Sequence, residues 1–132
     1  MARPQLDYTV VTATFKLEKE NMRRFEAYLK SQQSEYHTKN SYIFNKVEHI
    51  VNTIKYADKN VKIGFVLDLL QYATPRKQIK DIDKSAFKCA VVSVKLKEDT
   101  HAEAVALAQE LGFSFSDMIR RCILKDVTEA GY

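Results

Sequence analysis

Val91-Val92-Ser93-Val94-Lys95-Leu96 alternates its side chains between two faces, and far upstream Thr12-Ala13-Thr14-Phe15-Lys16-Leu17 does the same. A period of two marks a half-buried strand. The inward face is Val11, Ala13, Phe15 and Leu17 in the first stretch and Val92, Val94 and Leu96 in the second. Thr12, Thr14, Lys16, Val91, Ser93 and Lys95 fall on the outward face. The β-branched bias of both stretches favours a pleated backbone. A lone strand is not stable, so two such stretches in one chain are expected to pair with each other.

The segments downstream of the two stretches repeat as well. After Leu17 the period changes, and Met22, Phe25 and Leu29 fall at helical spacing with Tyr28 beside them. A polar turn over Lys30 to Tyr36 leads to a second helix with Ile43, Val47, Ile50, Val51 and Ile54 on its apolar side, capped by Thr38 or Asn40. After Leu96, Thr100-His101-Ala102-Glu103 fits a capping box opening a helix with Ala104, Leu107, Ala108 and Leu111 on its apolar stripe. Gly112 stands where a left-handed helix terminator belongs, and Ser114 with Asp117 opens a last helix buried through Met118, Ile119, Cys122 and Ile123. Strand, helix and capped helix therefore occur twice, with the turn between helices longer by about three residues in the first copy, and a repeat of this size sets the fold reading.

The repeats span residues 8–57 and 89–128 of a single expected domain, with an inserted segment at 58–88. Within the insert, Ile63, Val66, Leu67, Leu70 and Ala73 share one helical face, which predicts a helix from about Asn60 to Ala73, stopped by Pro75. Phe65, Leu69 and Tyr72 form a second apolar stripe on it. Both stripes read as core, or the second meets another subunit. Thr74 to Lys88 is basic and irregular, and Met1 to Asp7 reads as a short arm.

At 132 residues the chain is long enough for one sizeable core, and 45% hydrophobic content with three glycines and two prolines argues for an ordered, helix-rich protein. The net charge of +4 is compatible with a polyanionic partner without requiring one. Cys89 and Cys122 lack metal or disulfide spacing and read as reduced thiols. No signal-like run and no bilayer-length apolar stretch is present, so a soluble, cytoplasmic protein that engages no membrane is expected.

The second copy's Gly112-Phe113-Ser114-Phe115-Ser116-Asp117-Met118-Ile119, coming after its strand and helix, resembles the ribbon-helix-helix fold of the Arc, MetJ and CopG repressors. The first copy's Tyr36-His37-Thr38-Lys39-Asn40-Ser41-Tyr42-Ile43 lacks the glycine. The resemblance implies a mostly helical α+β fold. Two ribbon-helix-helix repeats would form an intramolecular pseudo-dimer with a two-stranded antiparallel ribbon, similar in arrangement to the TraY conjugation proteins. It further implies double-stranded DNA as partner, read by inserting the ribbon into the major groove, as β-ribbon readers do.

On that reading Thr12, Thr14, Lys16, Val91, Ser93 and Lys95 face the bases. Lysine donates to guanine acceptors, threonine and serine pair with several bases, and Val91 meets a thymine methyl. Without the resemblance, Lys16 and Lys95 read as solvated or phosphate-contacting residues. Free amides and the positive helix dipole at the start of each second helix imply phosphate contacts at Lys39, Asn40 and Ser41, and at Phe115 and Ser116. Phe115 stands where a small or basic side chain is expected, which leaves its backbone amide for that role. The outward faces of the two copies differ, so one chain is expected to read an asymmetric site, with self-association on adjacent sites for extended ones.

A transcriptional repressor is the expectation, a relaxosome accessory or plasmid segregation protein the alternative, with a phage or mobile element as source. His37, His49 and His101 have no metal spacing and no Gly-rich phosphate loop occurs, so neither enzyme activity nor a cofactor is expected. A reading of another class is an antitoxin-like interaction module that holds a partner through Phe65, Leu69 and Tyr72 of the inserted helix.

Overall fold

Alternation in the two strand-like stretches becomes one antiparallel pair in the computed structural model, which describes residues 9–31, 34–72 and 89–132. Strand β1 is Val10–Glu18 and β2 is Cys89–Lys97, paired from Val10↔Lys97 to Glu18↔Cys89. Tyr8, expected to open the first strand, lies outside the described residues. Five helices complete the chain: α1 Lys19–Lys30, α2 Lys39–Thr53, α3 Lys59–Leu70, α4 Glu98–Glu110 and α5 Phe115–Glu129. The protein is mostly helical, with a single two-stranded sheet among the described residues.

The register is centred on Thr14 opposite Ser93, residues 79 positions apart that occupy the same place in the two copies. The same step separates the starts of α1 and α4, while the step from α2 to α5 is three residues shorter, as the longer first turn requires. Ala13, Phe15, Leu17, Val92, Val94 and Leu96 are buried on one face of the ribbon and join a single cluster with residues from every helix. α2 packs on β2 and α5 on β1, so each second helix crosses to the strand of the other copy.

The helix ends obey local chemistry. Thr38 caps α2 by accepting from the Ser41 N–H at 3.1 Å, and Ser114 caps α5 by accepting from the Asp117 N–H at 3.1 Å. α4 ends at a left-handed Gly112 (φ +88°), where the Phe113 N–H donates to the Ala108 carbonyl at 2.8 Å and the Gly112 N–H to the Gln109 carbonyl at 3.1 Å. The capping box expected at Thr100 to Glu103 is corrected: α4 starts at Glu98, directly out of β2. The Glu98 N–H donates to the Thr9 carbonyl at 2.8 Å, so the ladder satisfies an amide that a cap would otherwise serve, and Glu98 and Asp99 favour the positive helix end. Glu103 instead pairs with Lys55 at 2.9 Å.

α3 sits on α4 and α5 with one face selected. Leu69 is 1% exposed, Phe65 and Val66 pack against the core, and Tyr72 is half-buried. Arg121 fixes the end of α3, donating to the Leu69 carbonyl at 3.2 Å and the Tyr72 carbonyl at 3.4 Å while its Nε donates to Asp117 at 3.1 Å. Lys125–Asp68 and Lys62–Glu110 are ion pairs at 3.3 and 3.0 Å. Exposed pairs contribute about 0–1 kcal/mol each and a buried leucine about 1.5–3, so Leu69 supplies the adhesion and the charges choose the face. The expectation that both stripes are core is corrected, since Ile63, Leu67 and Leu70 are exposed. The helix ends at Leu70. Ala73, Pro75 and the return segment lie outside the described residues.

Two ionisable groups are buried where α2 meets α5. The Tyr42 hydroxyl donates to Asp126, which also holds Lys46 at 2.7 Å. Burial, and then Asp126, push the Tyr42 hydroxyl well above its ordinary range. Burial pushes the Cys122 thiol up to about 12 from 9.0.

Truncating Phe15 to Ala is expected to cost about 3–5 kcal/mol in a urea titration, since its ring lies at the centre of the covered face. The folded state keeps the Cys122 proton that the unfolded chain releases, so its contribution to stability is lost as pH rises from 9.0 to about 12. Over that window Cys122→Ala should flatten the decline of unfolding free energy by about 1.4 kcal/mol per pH unit, read from urea titrations at successive pH values.

Candidate nucleic-acid interface

The ribbon face opposite the core is open. Thr12, Thr14, Lys16, Val91, Ser93 and Lys95 are all exposed on it, Val91 at 61%. The pairing brings them together as Thr12–Lys95, Thr14–Ser93 and Lys16–Val91. The Glu98 N–H reaches across to Thr9, whereas the Lys95 N–H points away from the partner strand to Asn40. By alternation, the three outward pairs are therefore the non-hydrogen-bonded kind, whose side chains stand closer. At the centre the Thr14 and Ser93 hydroxyls are 3.2 Å apart and hydrogen-bonded. Lys16 and Lys95 lie toward opposite ends, and neither ammonium has a carboxylate partner among the described residues.

Chemically the face offers two exposed cations toward its ends, hydroxyls across its middle and one bare valine. Such a surface can donate to acceptors, adapt its hydroxyls either way and touch a methyl group. Val91 makes it asymmetric, because the matching position in β1 is Thr12.

Side chains from the second helices fasten the ribbon edges. Asn40 Oδ1 accepts from the Lys95 N–H at 2.8 Å, and Arg120 Nη1 donates to the Lys16 carbonyl at 3.3 Å. Both act at the same strand position of the two copies, each from the helix of the other copy. Sequence reasoning misses both contacts. The one signal the sequence holds is a pair of adjacent arginines inside the apolar run Met118 to Ile123, of which Arg121 turns inward to α3 and Arg120 lies at the ribbon.

The helix starts differ from one another. Lys39 is paired with Glu26 at 3.2 Å, both side chains part-exposed, and the Ser41 N–H is taken by Thr38 while Ser41 itself is exposed. Asn40 flanks the ribbon, its carbonyl oxygen held by Lys95. Phe115 and Ser116 are half-buried, and the Phe115 ring meets His101 edge-on at 5.0 Å between centroids.

The stripe expected as a partner face, Phe65, Leu69 and Tyr72, is divided by burial. Leu69 is buried in the chain's own core and Phe65 packs against it, while Tyr72 is half-buried. The apolar residues that α3 leaves exposed are Val61, Ile63, Leu67 and Leu70. Among the described residues no group of three or more His, Cys, Asp and Glu is placed to hold a metal ion, and no helix is long and apolar enough to cross a membrane.

No family model, curated protein or solved structure matches the chain.

Asn40→Ala removes the acceptor of the Lys95 amide at an exposed edge, where water replaces it in part. The expected loss is about 0.5–1.5 kcal/mol, with faster hydrogen exchange at the Lys95 amide. Asn40→Asp keeps an acceptor and should keep the protection.

Proposed function

We propose that this chain is a sequence-specific double-stranded DNA-binding protein of the ribbon-helix-helix type. In this reading its two copies form an intramolecular pseudo-dimer that inserts the β1–β2 ribbon into the major groove. The observation that carries it is the six-residue open face on a ribbon whose other face is core. Strands spaced about 4.8 Å apart fit a groove about 12 Å wide. The register centred on Thr14 and Ser93 supports the two-fold relation, and the +4 charge suits a polyanion.

Thr12, Thr14, Lys16, Val91, Ser93 and Lys95 then read base edges, with the lysines suited to guanine O6 and N7 and Val91 to a thymine methyl. Lys39, Ser41 and the amides of Phe115 and Ser116 hold phosphates, and Lys39 must exchange Glu26 for its phosphate. Asn40 combines a phosphate contact through its amide with its edge clamp. Transcriptional repression is the role we favour, with relaxosome or segregation functions using the same head on other sites. Extended sites recruit chains side by side. An interaction module is the second reading, and burial of Leu69 leaves only the half-buried Phe65 and Tyr72 of its expected stripe to serve it.

Selection of bound duplexes from a random pool tests the proposal: recovery of a defined, non-palindromic site supports it, and recovery of unrelated sequences overturns it. Against the selected site, Lys16→Ala and Lys95→Ala should each cost about 1–3 kcal/mol with altered base preference. Lys39→Ala should weaken all duplexes alike. A lysine whose loss is equal on scrambled duplexes is a phosphate contact.

A further inference from the structure

The two ribbon edges are closed by opposite chemistry. At Lys95 the strand donates its N–H to a neutral side chain, Asn40, at 2.8 Å, and at Lys16 the strand carbonyl receives a cation, Arg120, at 3.3 Å. The position of α2 that answers to Arg120 is Phe44, whose ring packs partly against the core with Lys97 Nζ 5.8 Å from its centroid. A guanidinium therefore stands at one edge where an aromatic ring stands at the other.

Arg120 is half-buried, and no carboxylate among the described residues compensates its charge. Its neighbour Arg121 has Asp117, but Arg120 has no carboxylate among the described residues, and Glu18 further along β1 makes no ion pair with it. Its Nε is buried without a hydrogen-bond partner, and among the described residues its one polar contact is the neutral Lys16 carbonyl. Holding a guanidinium partly out of water with no counter-charge is unfavourable. An anion at the ribbon edge would offset that cost, and arginine matches phosphate oxygens better than any other side chain. The Lys16 carbonyl holds Nη1 and leaves Nη2 for such an oxygen.

We infer that Arg120 is a phosphate contact on one flank of the bound duplex, with no counterpart on the other flank, so that the ribbon seats in one orientation. This rests on the DNA-binding reading above and adds to it a source of polarity that lies outside the base-reading face.

The test uses the full chain and a duplex selected from a random pool by the wild-type protein, with phosphate ethylation interference and the salt dependence of binding as readouts. The wild type should show an ethylation-sensitive phosphate on one flank that R120Q loses. R120Q keeps a donor for the Lys16 carbonyl but no charge. Its binding should be about ten-fold weaker, and the slope of log affinity against log salt should shrink by about 0.9. R120K should restore the slope. Unchanged thermal unfolding of R120Q separates this loss from a folding defect. An interference pattern and slope identical to the wild type would overturn the assignment and leave Arg120 as an edge fastener. If the wild type retains no duplex at all, the DNA reading itself falls, a result seen before any variant is made.

Discussion

Two strands alone cannot bury their own apolar face, and that constraint organises this molecule. Ala13, Phe15, Leu17, Val92, Val94 and Leu96 leave water only because helices from both copies close over them. The cover is crossed, with α2 on β2 and α5 on β1, so neither strand-helix-helix unit completes its core without the other. The edge contacts of Asn40 and Arg120 share the same crossing. With one face committed to packing, the opposite side chains are free to serve another surface.

Much of this is legible in the sequence because it is local and periodic. Period-two alternation marks which face of each strand is covered, and the steps of three and four in α1, α2, α4 and α5 mark theirs. Gly112 and Ser114 announce the turn between α4 and α5, since a left-handed backbone and a free amide each favour few residue types. The start of α4 is not legible from its caps: a Thr-x-x-Glu pattern is present, but the strand ladder reaches Glu98 first and makes it redundant. The six outward residues are legible from alternation alone, and their gathering into one surface requires the register.

What alternation cannot supply is choice among equivalent faces. α3 carries apolar residues nearly all round, at Val61, Ile63, Phe65, Val66, Leu67, Leu69 and Leu70, so periodicity has no preferred direction to report. The direction comes from Arg121 on a distant helix, through carbonyls at the end of α3. The edge clamps are hidden for the same reason. Asn40 stands out in the sequence for its place at a helix start, but its partner, the Lys95 amide, lies 55 residues away.

Both strands belong to one polypeptide, and this alters how the ribbon responds to its surroundings. Closure is a unimolecular event, so dilution cannot separate the strands as it would two subunits. The two ends of the outward face need not match, and Val91 opposite Lys16 differs from Thr12 opposite Lys95.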